Sequence, residues 1–143
     1  MAFQRTVLIV EDDEHFREAL ELILQRGGYR VLSAADGETA KTLVVEHVPD
    51  IAILDMMLPG QSGFQITQHL KEQSEGRIVV IMISGNSSAA HRDYASVTGV
   101  DRFLPKPFTP AKVLEVVEEL CPPKPTARIN GSGVTSRPTA LPV

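Results

Sequence analysis

The sequence has little of what a secreted, membrane-spanning or cysteine-based metal protein needs. Only one of its 143 residues is a cysteine, Cys121, so it can form no internal disulfide and has no companion thiolate for a metal site. It has neither the apolar segment of a signal peptide near Met1 nor an apolar run long enough to span a bilayer. We therefore expect a soluble protein of the reducing cytoplasm with no membrane contact.

Positive charge is also scarce. The formal net charge is −4, but residues 122–143 hold three of the 14 basic groups and none of the 18 acidic ones. Residues 1–121 therefore combine 11 basic with 18 acidic groups, a net charge of −7. Because an acidic domain is a poor binder of nucleic acid, we expect no direct nucleic-acid contact. The four histidines fall in separate predicted helices, and this argues against a histidine metal site.

Length and composition predict one globular domain followed by a polar segment. A chain of 143 residues with 43% hydrophobic content can bury a single core. Half of its ten prolines lie in the last 22 residues, where periodic apolar residues are almost absent. We assign the folded domain to residues 1–121 and predict that residues 122–143 form a disordered tail or linker.

Five short apolar runs, each followed by a helical pattern, predict the fold. The run before Asp55 is continuous, which is typical of a parallel strand buried on both faces. Helix starts are indicated by Asp36, by Ser62 with Gln65 as a capping box, and by Thr109 before Pro110. A fourth helix, at about residues 87–97, has few large apolar residues. The prediction is an α/β fold, a doubly wound parallel sheet of five strands with five helices on its two faces.

Chemically active side chains recur where the predicted strands end. They are Glu11 and Asp12 after the first strand, Asp55 after the third, Ser84 after the fourth and Lys106 after the fifth. The carboxyl ends of parallel strands meet at one edge of the sheet, where ligands bind in such folds. Three carboxylates gathered there repel one another. A bound Mg²⁺ ion, which prefers oxygen ligands, usually offsets such repulsion. With a lysine beside it, this set suits phosphoryl transfer to a carboxylate, and we predict phosphorylation of Asp55.

These motifs resemble those of the response regulator receiver domains of two-component signalling. The resemblance covers residues 6–120 and rests on the acidic motif Val10-Glu11-Asp12-Asp13, the Leu54-Asp55-Met56-Met57-Leu58-Pro59-Gly60 segment with Gly63, the Ile83-Ser84-Gly85 segment and the Phe103-Leu104-Pro105-Lys106-Pro107-Phe108 segment. It implies a flavodoxin-like sheet of order 2-1-3-4-5. It also implies that Glu11, Asp12, Asp55 and the Met57 backbone carbonyl hold Mg²⁺.

The same resemblance implies further roles and partners. Ser84 and Lys106 would bind the phosphoryl oxygens, and Ser84 with Phe103 would form the conformational switch. Met57 and Asn86 would tune dephosphorylation. The phosphodonor would be a sensor histidine kinase or a histidine phosphotransfer protein. A downstream protein would bind the face made by the fourth helix, the fifth strand and the last helix, and the domain would be a monomer or a phosphorylation-linked dimer.

Three other functions compete with this one. A flavin carrier of the same architecture needs a hydroxyl-rich and glycine-rich phosphate loop after the first strand, whereas this loop is acidic. A phosphatase with an aspartyl-phosphate intermediate needs a second acid two residues after the nucleophile, where this chain has Met57. A receiver fold that binds partners largely independently of phosphorylation stays open as the alternative. No catalytic activity beyond the domain's own phosphotransfer and dephosphorylation is expected.

Overall fold

A computed structural model describes residues 4–58, 60–84, 99–106 and 108–123, with Ser84 described by its backbone alone. In these ranges the strands are β1 (Thr6–Val10), β2 (Arg30–Ala34), β3 (Ile51–Asp55), β4 (Met57–Leu58), β5 (Gln61–Ser62), β6 (Val79–Ser84) and β7 (Arg102–Pro105). The helices are α1 (Glu14–Arg26), α2 (Gly37–Glu46), α3 (Gly63–Ser74) and α4 (Pro110–Leu120). The helix predicted at about residues 87–97, Asn86 and most of the predicted tail lie outside the described ranges.

The main sheet is parallel and has the order β2-β1-β3-β6-β7. Because β4 and β5 pair only with each other, this is the predicted 2-1-3-4-5 order and the fold prediction is confirmed. Every residue of β1 and of β3 is buried, as the continuous apolar runs predict for central parallel strands. The strand β7 runs to Pro105, which its position at the edge of the sheet allows, because proline is tolerated in an edge strand.

Two apolar layers cover the sheet. Leu8, Leu54, Ile66 and Leu70 belong to the layer under α2 and α3, and each of these side chains is fully buried. The opposite layer lies under α1 and α4 and includes Leu20 and Val117. Helices on both faces leave the ends of the strands as the places where polar groups can gather without entering the core.

The predicted helix starts are confirmed at the level of single hydrogen bonds. The Asp36 carboxylate accepts from the Thr39 N–H at 2.8 Å, and the Thr109 hydroxyl accepts from the Lys112 N–H at 3.1 Å. Ser62 and Gln65 form both bonds of the capping box. Each cap satisfies a backbone N–H that the helix itself leaves unpaired. The strand-to-helix turns are thereby fixed by local chemistry that the sequence already contains.

The described histidines differ in burial. His15 is exposed, but His47 and His69 are half-buried, and the Nε2 atom of His69 is buried with no hydrogen-bond partner. His91 lies outside the described ranges. Among the described residues, the one group close enough to hold a metal contains no histidine.

No helix in the described part of the chain combines the length and apolarity needed to cross a membrane.

Candidate phosphorylation and metal site

Three carboxylates meet at the carboxyl edge of the sheet. Glu11 and Asp12 follow β1, and Asp55 is the last residue of β3, the strand beside it. Each offers a carboxylate oxygen, and these oxygens lie within 4.8 Å of one another. Glu11 and Asp55 are only 3% and 6% exposed, whereas Asp12 is exposed. The juxtaposition follows from the parallel order of β1 and β3, which brings two strand ends together.

The Asp55 carboxylate has a partner on each oxygen. Its Oδ1 accepts from the Met57 N–H at 3.0 Å, and its Oδ2 lies 3.3 Å from the Lys106 Nζ, with which it forms an ion pair. The Lys106 side chain is 42% exposed, so the ion pair lies at the mouth of the site. The carboxylate is thus oriented by a backbone amide and a cation, and the exposed Asp12 lies at the surface of the same cluster.

Within the cluster, Glu11 has a raised pKa. The pKa of Glu11 is raised from 4.5 to about 7, chiefly because burial penalises the charged form and also because of the nearby charge of Asp55. The Asp13 N–H, which donates to the Glu11 Oε2 at 3.1 Å, and the charge of Lys106 oppose that increase in pKa. A buried carboxylate that is costly to ionise is stabilised by a nearby cation. Three hard oxygen donors at this spacing fit Mg²⁺, for which they are suitable ligands.

The shifted pKa of Glu11 predicts a pH dependence of stability in metal-free protein. A carboxyl group whose pKa is higher in the folded state than in the unfolded state destabilises the fold as pH rises from about 4.5 to about 7. Relative to wild type, Glu11→Gln should therefore gain about 1 to 2 kcal/mol of unfolding free energy between pH 5 and pH 8. Urea unfolding in a chelator measures this change, with the exposed Glu18→Gln as control. The same pH dependence in wild type and Glu11→Gln would contradict it.

The turn after Asp55 is packed tightly onto α3. The Gly63 N–H donates to the Met56 carbonyl at 2.8 Å, and a Cβ at Gly63 would lie 2.7 Å from the Asp55 carbonyl oxygen. Glycine at this first helical position therefore lets the helix start against the backbone that carries Asp55. The two-stranded β4-β5 hairpin closes the same turn, with Gly60 at φ +79°.

The structure describes the remaining predicted site residues only in part. The backbone of Ser84 ends β6 in register with Pro105, next to the pair formed by Asp55 and Ile83, but the Ser84 side chain and Asn86 are outside the description. Phe103 is half-buried and packs against the layer under α2 and α3. Met57 is 73% exposed. The roles assigned to these residues, and to the Met57 carbonyl, stay predictions.

One neighbour of the site is not anticipated by the sequence reasoning. The Arg17 Nη1 on α1 donates to the Glu11 carbonyl oxygen at 2.8 Å, so a cation lies behind the acidic cluster. The only sequence signal is an arginine near the start of a helix that follows an acidic loop, and that pattern is too common to be informative. Its contact depends on the angle at which α1 leaves the sheet.

The fold and the site define a flavodoxin-like domain with an acidic, lysine-flanked centre at the carboxyl edge of its sheet. Residues 7–118 match the family model described as the response regulator receiver domain, and the chain belongs to that family.

Individual relatives agree with this assignment. The phosphate regulon transcriptional regulatory protein PhoB of Escherichia coli is 33% identical over 141 residues, which cover 95% of this chain and 62% of PhoB. The chemotaxis response regulator CheY4 of Vibrio cholerae is 26% identical, with a TM-score of 0.75 over 81% of this chain and 98% of CheY4. A structure described as the BeF₃-activated DrrB receiver domain is 27% identical, with a TM-score of 0.73 over 82% of this chain and 97% of that one. The chain spans about three fifths of the length of PhoB.

Proposed function

We propose that this receiver domain takes a phosphoryl group onto the Asp55 carboxylate in the presence of Mg²⁺ and then presents a changed surface to a protein partner. The main support for the proposal is the set of groups around the Asp55 carboxylate. This nearly buried carboxylate has an N–H on one oxygen, an ammonium group near the other, and two further carboxylates within 4.8 Å. That set of groups suits transfer of a doubly charged phosphoryl group better than it suits any structural role.

The chemistry assigns a separate task to each group. An Asp55 oxygen attacks the phosphorus of a phosphohistidine, the P–N bond breaks, and its electron pair stays on the imidazole nitrogen, which then takes up a proton. Glu11, Asp12, Asp55 and the Met57 carbonyl would hold Mg²⁺, which when bound offsets negative charge on the phosphoryl oxygens. Lys106 meets another phosphoryl oxygen, because its Nζ already lies 3.3 Å from the Asp55 Oδ2.

The response to phosphorylation would pass through Ser84 and Phe103. A hydrogen bond from the Ser84 hydroxyl to a phosphoryl oxygen draws the end of β6 toward Asp55. Phe103 on β7 is in register with Met82 on β6. It then moves further into the apolar layer that it already contacts. One new hydrogen bond can shift a two-state equilibrium by only a few kcal/mol. The surface that changes is the one formed by the segment before β7, by β7 itself and by α4.

Magnesium with beryllofluoride, a stable analogue of the phosphoryl group, tests the proposal. We expect amide shift changes at Asp55 and Met57, at Phe103, and in the segment between Ser84 and β7, together with altered affinity for a candidate partner. The alternative is a binding module that works independently of phosphorylation, and it predicts partner affinity unchanged by beryllofluoride. Amide shifts that do not respond to magnesium and beryllofluoride would overturn the proposal.

Met57 should prolong the life of the phosphorylated state. Hydrolysis needs a water in line behind the phosphorus, and a methionine two residues after Asp55 offers it no useful hydrogen bond. Because the Met57 side chain is 73% exposed, its replacement should cost little stability. We expect Met57→Asn to speed dephosphorylation about five-fold, which corresponds to about 1 kcal/mol. Asn86 would still orient the water weakly in wild type.

The control for Met57→Asn is Val45→Asn, which changes a similarly exposed apolar residue, 68% exposed, on α2. Loss of label after removal of the phosphodonor gives the rate for each variant. A rate for Met57→Asn equal to or below that of wild type would show that this side chain does not set the lifetime.

Partners and location follow from the same proposal. The phosphodonor would be a sensor histidine kinase or a histidine phosphotransfer protein in the cytoplasm, and the domain would be a monomer that can dimerise when phosphorylated. The PhoB relative is named a transcriptional regulator, and this chain covers only part of it. The expectation of no nucleic-acid contact therefore concerns residues 1–121 alone.

A further inference from the structure

The first turn of α1 contacts residues beside two parts of the site: the acidic part that contains Glu11 and the part that contains Lys106. Asp13 caps the helix by accepting from the Phe16 N–H at 3.0 Å, and its own N–H donates to the Glu11 Oε2 at 3.1 Å. Two further side chains of this turn, Phe16 and Arg17, contact different residues beside the site. Within the described part of the chain, neither side chain hydrogen-bonds to Asp55, so any influence they have on it passes through another residue.

Phe16 contacts the loop that carries Lys106. Its ring lies edge-on to that of Phe108, with the centroids 5.0 Å apart and the planes at 79°. Both rings are half-buried and pack against the layer under α1 and α4. An edge-to-face pair of this kind adds a preferred geometry to ordinary apolar burial.

Lys106 needs such an anchor because its side chain is long and flexible. On one side its backbone is fixed by β7, whose last residue, Pro105, is in register with Ser84. On the other side the chain reaches Phe108 and then Thr109, the N-cap of α4. Among the described residues, the Phe16 and Phe108 ring pair is therefore a side-chain contact that ties Phe108, two positions after Lys106, to α1.

Arg17 contacts the acidic part of the site, at Glu11. Its Nη1 donates to the Glu11 carbonyl oxygen at 2.8 Å, in a partly buried position. The Glu11 N–H donates to the Ala34 carbonyl at 3.0 Å, so both backbone polar groups of this residue are held. Groups that hold the backbone of a metal ligand fix the direction of its side chain.

We propose that the first turn of α1 positions the two parts of the phosphorylation site separately, Phe16 acting on Lys106 through Phe108 and Arg17 acting on Glu11 through its carbonyl oxygen. The inference rests on the proposed function, since it assigns Lys106 to the phosphoryl group and Glu11 to the metal. Two adjacent residues of one helix then affect two different binding events, that of the phosphoryl group and that of the metal. Phe16 and Arg17 are positioning residues and touch neither the phosphoryl group nor the metal.

The test compares two affinities in wild type and four variants. Because the chain contains no tryptophan, magnesium and beryllofluoride binding are followed by amide shifts in NMR titrations. Phe16→Leu should weaken beryllofluoride binding about five-fold and leave magnesium affinity within two-fold of wild type. Arg17→Met should weaken magnesium binding about five-fold. Its beryllofluoride affinity, measured at saturating magnesium, should stay near that of wild type.

Ile23→Ala is the matched control. Ile23 is partly buried on the same helix and packs on the same apolar layer, so this variant loses stability without altering either contact. Its two affinities should equal those of wild type. Phe16→Tyr keeps the aromatic ring and should restore beryllofluoride binding, even if the fold of Phe16→Leu is weakened.

Two results would overturn the inference. One is equal loss of both affinities in Phe16→Leu and in Ile23→Ala, which would show that general stability is responsible. The other is wild-type behaviour of Phe16→Leu and Arg17→Met in both titrations. A wild-type protein that binds neither magnesium nor beryllofluoride would instead refute the proposed function.

Discussion

Asp55→Asn is expected to abolish phosphoryl labelling while leaving the fold intact. The amide of asparagine is nearly the same shape as the carboxylate but is not a nucleophile toward phosphorus. Asp55 also adds to the electrostatic repulsion that raises the pKa of Glu11, so its neutralisation should not lower stability. Label incorporated from acetyl phosphate measures the first effect, and urea unfolding followed by circular dichroism measures the second.

Asp50→Asn is the matched control for this experiment. Asp50 lies just before β3, at the opposite edge of the sheet from Asp55, and its carboxylate accepts from the Thr6 N–H at 2.8 Å. This variant loses part of a structural contact and should retain full labelling. Wild-type labelling of Asp55→Asn would show that the acceptor is another residue.

Lys106→Ala is expected to separate metal binding from the phosphoryl response. The Lys106 Nζ lies 3.3 Å from the Asp55 Oδ2, and the ammonium group opposes binding of another cation. Magnesium affinity should therefore stay the same or increase. Labelling by acetyl phosphate should slow about 100-fold, because the variant loses a preorganised positive charge at the phosphoryl oxygens.

Lys112→Ala tests whether loss of any lysine near α4 has this effect. Lys112 is about half exposed and pairs with Glu115 on the same helix. Its removal should leave both magnesium affinity and labelling unchanged. Collapse of magnesium binding in Lys106→Ala would mean that the lysine organises the metal site, and the assignment of its role would be wrong.

The sequence was sufficient for the fold because its main signals are local. The buried run that ends at Asp55 has the pattern of a central parallel strand, and Ser62 with Gln65 is a complete capping box within four residues. Parallel strands then place their carboxyl ends together whatever the details of packing. The gathering of Glu11, Asp12 and Asp55 follows from topology alone, and the structure confirms it.

Other features depend on distances between parts of the chain that are remote in sequence. Phe16 and Phe108 are 92 positions apart, and no local pattern specifies that their rings meet edge-on. The pKa of Glu11 depends on how deeply the packed domain buries it, which composition cannot give. The contact of Arg17 with the Glu11 carbonyl and the partial burial of His69 likewise depend on how the helices pack.

The most direct test of the central claim is chemical trapping of the phosphorylated residue in wild-type protein. After reaction with acetyl phosphate and magnesium, borohydride reduces an aspartyl phosphate to homoserine, which peptide mass spectrometry then locates. We expect conversion at Asp55, dependent on magnesium, with every other aspartate unchanged. Conversion at a different residue, or a phosphoryl group that borohydride cannot remove, would contradict it.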